Sequence, residues 1–285
     1  MTRRRFPVGK TLLYVFMSRW ALPTIYPFIW VILNSFKPRG LIRSDTFSLP
    51  IGDKFTLENY VTAFKRVDIG TAYVNSIVIS GAVTVVVMVL AGLAAYAMVR
   101  YSFRLRGFLH SMIIASMMFP VFSTIIPVFR MESSWGIVNT GSIWLTRLSV
   151  VLPQIAGNLS FAIIVLMGFI RSLPVDLEEA AYLEGYNVYQ IFFRIIMPLA
   201  KPSFATVGIF TFLWSYNDLF LQMFFLRSKK FFTITRLLNE ISSQAGTNYG
   251  LMVAAVVMVV IPVLVVYIFL QNYIIKGMTA GAVKG

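Results

Sequence analysis

Apolar runs of membrane-crossing length alternate with short polar segments along this chain. A helix rises 1.5 Å per residue, so crossing a hydrocarbon layer of roughly 30 Å takes about 20 mostly apolar residues. Six stretches meet that length, at 12–36, 73–99, 108–129, 143–170, 203–226 and 250–275. The pattern predicts an all-α membrane protein with six transmembrane helices. Its transmembrane domain covers 12–275, with short tails at 1–11 and 276–285. Arg3, Arg4 and Arg5 precede the first run as they would a secretion signal. That run is longer than a signal core and no small-x-small cleavage site follows, so it is read as an uncleaved span.

Within the second stretch, Ser76, Ser80, Thr84, Met88, Ala91 and Ala95 recur every three or four residues. They make a face of small residues on which another helix can pack closely. Prolines stand in most of the other stretches, at Pro23, Pro27, Pro120, Pro127, Pro153 and Pro262, and predict bends. Between the first two stretches Leu57, Val61 and Phe64 fall at helical spacing, which predicts a surface helix at the membrane interface.

Composition removes whole classes of function. The 285 residues are 58% hydrophobic and 13% charged, against roughly 25% charged in soluble domains, which excludes a soluble globule and a disordered chain. Without cysteine there is no disulfide, thiolate nucleophile or cysteine-held metal. The single histidine, His110, reads as a surface residue beside Arg104 and Arg106. The net charge of +14 is scattered over inter-span segments, a pattern for anionic lipid head groups and not for nucleic acid. Total basic counts on the two sides are equal, but the N-terminal tail and Arg100, Arg104 and Arg106 favour a cytoplasmic N-terminus. Arg227, Lys229, Lys230 and Arg236 argue the other way. Both termini are expected in the cytoplasm.

Gly9-Lys10-Thr11 imitates the end of a phosphate-binding loop, but Arg4 stands where that loop needs its first glycine. With its one histidine placed in a surface turn the chain assembles no Ser/His/Asp triad, and no enzyme is predicted. Arg19 and Asp218 are read as the charges within the spans, too few for an ion relay, so energy for transport must come from elsewhere. Residues 171–202, between the fourth and fifth spans, are too long and amphipathic for a plain turn. Pro174 opens a helix whose first turn carries Asp176, Glu178 and Glu179 at the positive dipole end. Gly185 closes it in the left-handed conformation, Asn187 caps a second helix, and Pro198 stops that one. The predicted result is helix, sharp turn, helix at the membrane surface.

Glu179-Ala180-Ala181, then Gly185, Ile195 and Met197-Pro198, resemble the EAA loop of the membrane subunits of ATP-binding-cassette importers. Asn34-Ser35-Phe36-Lys37, Met118-Phe119-Pro120 and the tail from Lys276 to Gly285 resemble the permeases for oligosaccharides and polyols, with the maltose importer's shorter membrane subunit as the type. The resemblance implies half of a translocation path for a carbohydrate in a prokaryotic cytoplasmic membrane. Its implied partners are a second homologous permease subunit, two cytoplasmic ATPases and an extracytoplasmic solute-binding protein. The chain itself binds no cofactor, since ATP and Mg belong to the partner ATPase. Glu179, Ala180, Ala181, Gly185, Ile195 and Pro198 are the implied ATPase-coupling residues, and the external loop 227–249 the implied contact for the binding protein. Gln154, Asn158 and Asn217, with Trp214 and Tyr216 as aromatic platforms, are candidates for a sugar path, with helix-to-helix hydrogen bonding as their alternative role. A permease for a glycerol-phosphate-type polyol and a secondary transporter are the competing functions.

Overall fold

In the computed structural model, which describes residues 8–66, 68–245 and 248–282, the chain is built from helices joined by short connections. Arg3–Arg5 and the last three residues of the predicted tail lie outside the described residues. The chain divides into two compact units, one formed by residues before Ile69 with Leu238–Ile261, the other by Ile69–Leu237 with residues from Pro262 onward.

In the first unit, α1 (Val8–Ser35) contains Pro23 and Pro27 and leaves nearly all its side chains up to Ile29 exposed. After it come α2 (Arg39–Ser44) and α3 (Glu58–Arg66), the predicted surface helix; Leu57, just ahead of α3, and Val61 and Phe64 on it are exposed. Lys37 is fully buried, and its Nζ donates to the carbonyls of Asp45 at 3.0 Å and Thr46 at 2.9 Å. Asn59 Nδ2 donates to the carbonyls of Ser35 and Lys37 at 2.9 Å each. A buried ammonium or amide must find acceptors, and here it finds the ends of the turns it holds.

The second unit is organised around α4 (Ile69–Arg100), which packs on α7 (Ile143–Ile170) and α11 (Lys201–Asn217). The predicted small-residue face is a packing face: Ser76, Ser80, Ala91 and Ala95 are buried on it, together with Val83 and Val87. The final helix, α14 (Tyr249–Ala282), runs past the predicted end of the sixth span at 275, through residues expected to form a tail.

Two predicted spans are broken. The third is α5 (Arg106–Ser116) and α6 (Val121–Ser134), meeting at 104°. Pro120 lacks an amide hydrogen and drives the preceding residue out of helical geometry, so the break falls at Phe119-Pro120. The fifth begins at an 82° bend and is interrupted at Asp218, which turns from the end of α11 to cap α12 (Leu219–Phe225). By length and composition the described helices supply four uninterrupted spans, or six when each bent pair is one span.

Candidate coupling site and polar cluster

Residues 171–202 form the helix, turn and helix that the local chemistry predicts. α8 (Asp176–Leu183) carries Asp176, Glu178 and Glu179 in its first turn. Gly185 has φ +85°, and nothing lies within 4 Å of where a Cβ would stand, so backbone conformation alone demands glycine there. The Gly185 amide donates to the Tyr182 carbonyl at 3.0 Å and the Tyr186 amide to the Ala181 carbonyl at 3.0 Å, the paired bonds of a Schellman turn. α9 (Val188–Ile191) opens on a capping box: the Gln190 amide donates to Asn187 Oδ1 at 3.0 Å, and the Asn187 amide to Gln190 Oε1 at 2.9 Å.

Pro198 does not stop this second helix. The chain passes through a π-helical turn, Phe192–Ile196, in which the Met197 amide donates to the Phe192 carbonyl, and continues as α10 (Met197–Leu199). Widening the turn makes room for the proline ring against the preceding carbonyls. The helix ends at Ala200, where the 82° bend into α11 lies.

The elbow presents one side and buries the other. Glu179, Ala180, Gly185 and Pro198 are exposed, Ala181 is buried and Ile195 is half-buried. Leu183 is 90% exposed. Glu178, adjacent to Glu179, turns inward: its Oε1 accepts from Arg100 Nε at 2.5 Å and its Oε2 from the Tyr96 hydroxyl at 2.8 Å. Arg100 Nη2 also donates to the Leu173 carbonyl at 2.9 Å. Tyr101 and Tyr182 share a hydroxyl-to-hydroxyl hydrogen bond at 2.9 Å, which holds the Tyr182 phenol above its usual pKa. From the sequence alone, Glu178 reads only as an acid favouring the helix dipole. The available signal was a lone Arg100 ending a long apolar helix, with Tyr96 one turn before it on the same face.

The predicted path residues lie elsewhere, in and beside a polar cluster between α7 and the α11–α12 junction. Ser215 Oγ donates to Gln154 Oε1 at 2.6 Å, and Gln154 Nε2 to Asp218 Oδ2 at 3.1 Å. Gln222 Nε2 donates to the Ser215 carbonyl at 3.1 Å, and Thr233 Oγ1 bonds Gln222 Oε1. Asn158 donates to the Gln154 carbonyl at 2.7 Å within its own helix, and Asn217 likewise to the Leu213 carbonyl at 2.8 Å. Trp214 is part-exposed and meets Phe161 edge-on, whereas Tyr216 is buried against Phe212 with its hydroxyl unpartnered. A groove of about 600 Å³ in this unit is lined by other residues, among them Met88, Phe204, Gly208 and Phe212. Near the start of α7, Arg147 donates to Asn75 Oδ1 at 2.9 Å. Among the described residues no group of three His, Cys, Asp or Glu side chains is arranged to hold a metal ion.

Residues 88–280, from the middle of α4 through the elbow and into α14, match the family described as "Binding-protein-dependent transport system inner membrane component". The chain belongs to this family. As a member it is a multi-pass membrane component of a binding-protein-dependent transport system, and its apolar helices fit that location. It is 34% identical over 267 residues to the diacetylchitobiose uptake system permease protein NgcG of Streptomyces coelicolor, covering 93% of this chain and 86% of the relative. It is 31% identical to the melibiose/raffinose/stachyose import permease protein MelC of Bacillus subtilis, covering 91% of each. Its fold is similar to that in "Crystal structure of a bacterial ABC transporter involved in the import of the acidic polysaccharide alginate", with a TM-score of 0.79 at 24% identity, over 96% of this chain and 99% of that one.

Proposed function

We propose that this permease forms half of an ATP-driven import path for an oligosaccharide, with its elbow seated in a cytoplasmic ATPase. The observation that carries the reading is the two-sided elbow. Glu178 and Ala181 tie it into the membrane unit while Glu179, Ala180 and the projecting Leu183 are left free for a partner. A short helix so held moves as a rigid body, and closure of two ATPases around two such helices would tilt the membrane halves in opposite senses. Glu179 is then the candidate partner for an ATPase arginine. Ile195 and Pro198, in and just after the widened turn, set the angle at which the elbow leaves α11. Relatives named for diacetylchitobiose and for melibiose, raffinose and stachyose support an oligosaccharide cargo. The reading further assigns a second homologous permease subunit, an external solute-binding protein meeting residues 227–249, and both termini in the cytoplasm.

A photoreactive amino acid at Leu183 tests the docking. Expressed with the ATP-binding-cassette ATPases of its host, the full chain should crosslink to one of them, and capture of no ATPase removes the reading. Cargo is tested on the reconstituted complex with its binding protein. Diacetylchitobiose, raffinose and maltotriose are the probes expected to raise ATP hydrolysis, and stimulation by glycerol 3-phosphate alone would assign the polyol class instead.

A further inference from the structure

The long helix α4 is gripped at both of its ends by polar side chains, and each grip holds a segment at one membrane surface. At the end bearing Arg100, the grip is the Arg100 and Tyr96 pair on Glu178 of the elbow. Phe192 from the widened turn packs beside it, 5.6 Å from the Tyr96 ring and 6.4 Å from that of Phe204. Gly92 permits this approach, since a Cβ there would stand 2.8 Å from Phe204 and 2.9 Å from Phe192.

At the other end, Asn75 and Ser76 are both buried and both committed. Asn75 Nδ2 donates to the carbonyls of Lys230 at 3.2 Å and Phe232 at 3.0 Å, while its Oδ1 accepts from Arg147. Ser76 Oγ accepts from the Ile234 amide at 2.8 Å. The first half of the loop between the fifth and sixth spans is thus fastened through its backbone. Such a fastening is indifferent to the side chains the loop carries.

The whole of α4 is 32 residues long and contains no proline, and the stretch from Asn75 to Arg100 spans about 38 Å at 1.5 Å per residue. By contrast α1, α7 and α14 each contain proline. The direct covalent route from elbow to loop is worse still, for it passes the 82° bend at Ala200 and the interruption at Asp218. Along α4 the buried face of Ile79, Val83, Val87 and Ala91 is closely packed, and packed interiors have low compressibility.

We infer that α4 is a stiff rod joining the elbow at one membrane surface to residues 229–234 at the other, with Glu178 and Asn75 as the positioning residues at its two ends. This rests on the proposed docking of the elbow, and adds the route by which its motion reaches the outer loop. A displacement at Glu178 is delivered to the backbone of Lys230, Phe232 and Ile234, and an event at that loop is delivered back to the elbow, because coupling between two sites is reciprocal.

Hydrogen exchange of the full chain in phosphatidylethanolamine and phosphatidylglycerol nanodiscs tests the rod without any partner. Glu178→Gln should speed exchange at 229–236, across the membrane from the substitution, by about threefold or more, and Asn75→Ala should do the same at 176–191. Tyr96→Phe keeps the ring packing and removes one hydrogen bond. It should move both segments in the same sense by less, which keeps the test decisive if a stronger variant does not fold. Exchange that changes only at the substituted end overturns the rod. Photocapture at Leu183 is read in parallel: capture with one-ended exchange removes the rod and leaves docking, whereas two-ended exchange without capture leaves the rod and removes docking.

Discussion

The elbow and the polar cluster of α7 and α11 are both places where polar residues interrupt apolar sequence, and they use those residues in opposite ways. In the elbow, Glu178 is spent on Arg100 and Tyr96 so that Glu179 and Leu183 can remain exposed. In the cluster, Gln154, Ser215, Asp218 and Gln222 are spent on one another. A polar residue in a membrane protein therefore marks a contact surface only when its hydrogen-bonding capacity is left over after the fold has used what it needs.

The sharpest way to break the comparison is to remove Glu178. Glu178→Ala leaves Arg100 with an uncompensated charge, a loss of about 3–5 kcal/mol for a buried pair. It should lower the melting temperature of the purified permease markedly, and a replacement that melts like the native chain would put the fastening elsewhere. Gln154→Ala comes next, at about 1–3 kcal/mol, because Ser215 and Asp218 each lose a buried partner. If this variant leaves melting unchanged but alters sugar stimulation of ATP hydrolysis, Gln154 belongs to the path and not to the bundle. Gly185→Val should cost roughly 1–2 kcal/mol through its left-handed backbone alone. The variant remains in the membrane and its ATPase fails to co-purify, whereas Gly185→Asn, which tolerates that conformation, retains more of the partner.

The smallest effect is expected at an exposed pair. Lys54 Nζ stands 2.6 Å from Asp45 Oδ2, and its hydrogen bond, helped by Ser48, holds the Asp45 carboxyl below the usual carboxylate range. A depressed carboxyl stabilises the fold above its unfolded pKa of about 4 and loses that contribution as the pH falls through the folded value. Amide protection across 39–54 should fall slightly below that pH in the native chain, and Asp45→Asn should remove the pH dependence. High salt should weaken this pair much more than the buried one on Glu178.

The features of the elbow that depend on near neighbours in the chain are legible in the sequence. Acids in a first turn, glycine at a left-handed close and asparagine at a cap act over four or five residues, and each stands where local chemistry asks for it. The same holds for the fourth span, whose predicted limits match α7. Pro120 and Pro198 are legible as disruptions but not in kind. One breaks its span at 104°, whereas the other is absorbed in a widened turn, because the outcome depends on what packs around the freed carbonyls.

By itself the sequence determined that this protein is solvated by a bilayer and that a helix–turn–helix elbow follows the apolar run at 143–170. Those properties depend on composition, on length against membrane thickness and on interactions between near neighbours in the chain. Only the tertiary structure decided which of two adjacent glutamates anchors and which remains free. A helix turns about 100° per residue, and the deciding Arg100 lies 78 residues away in sequence. For the same reason only the structure joined Asn75 to Lys230 and Phe232: hydrogen bonds across such separations have no signature in the residues that lie between them.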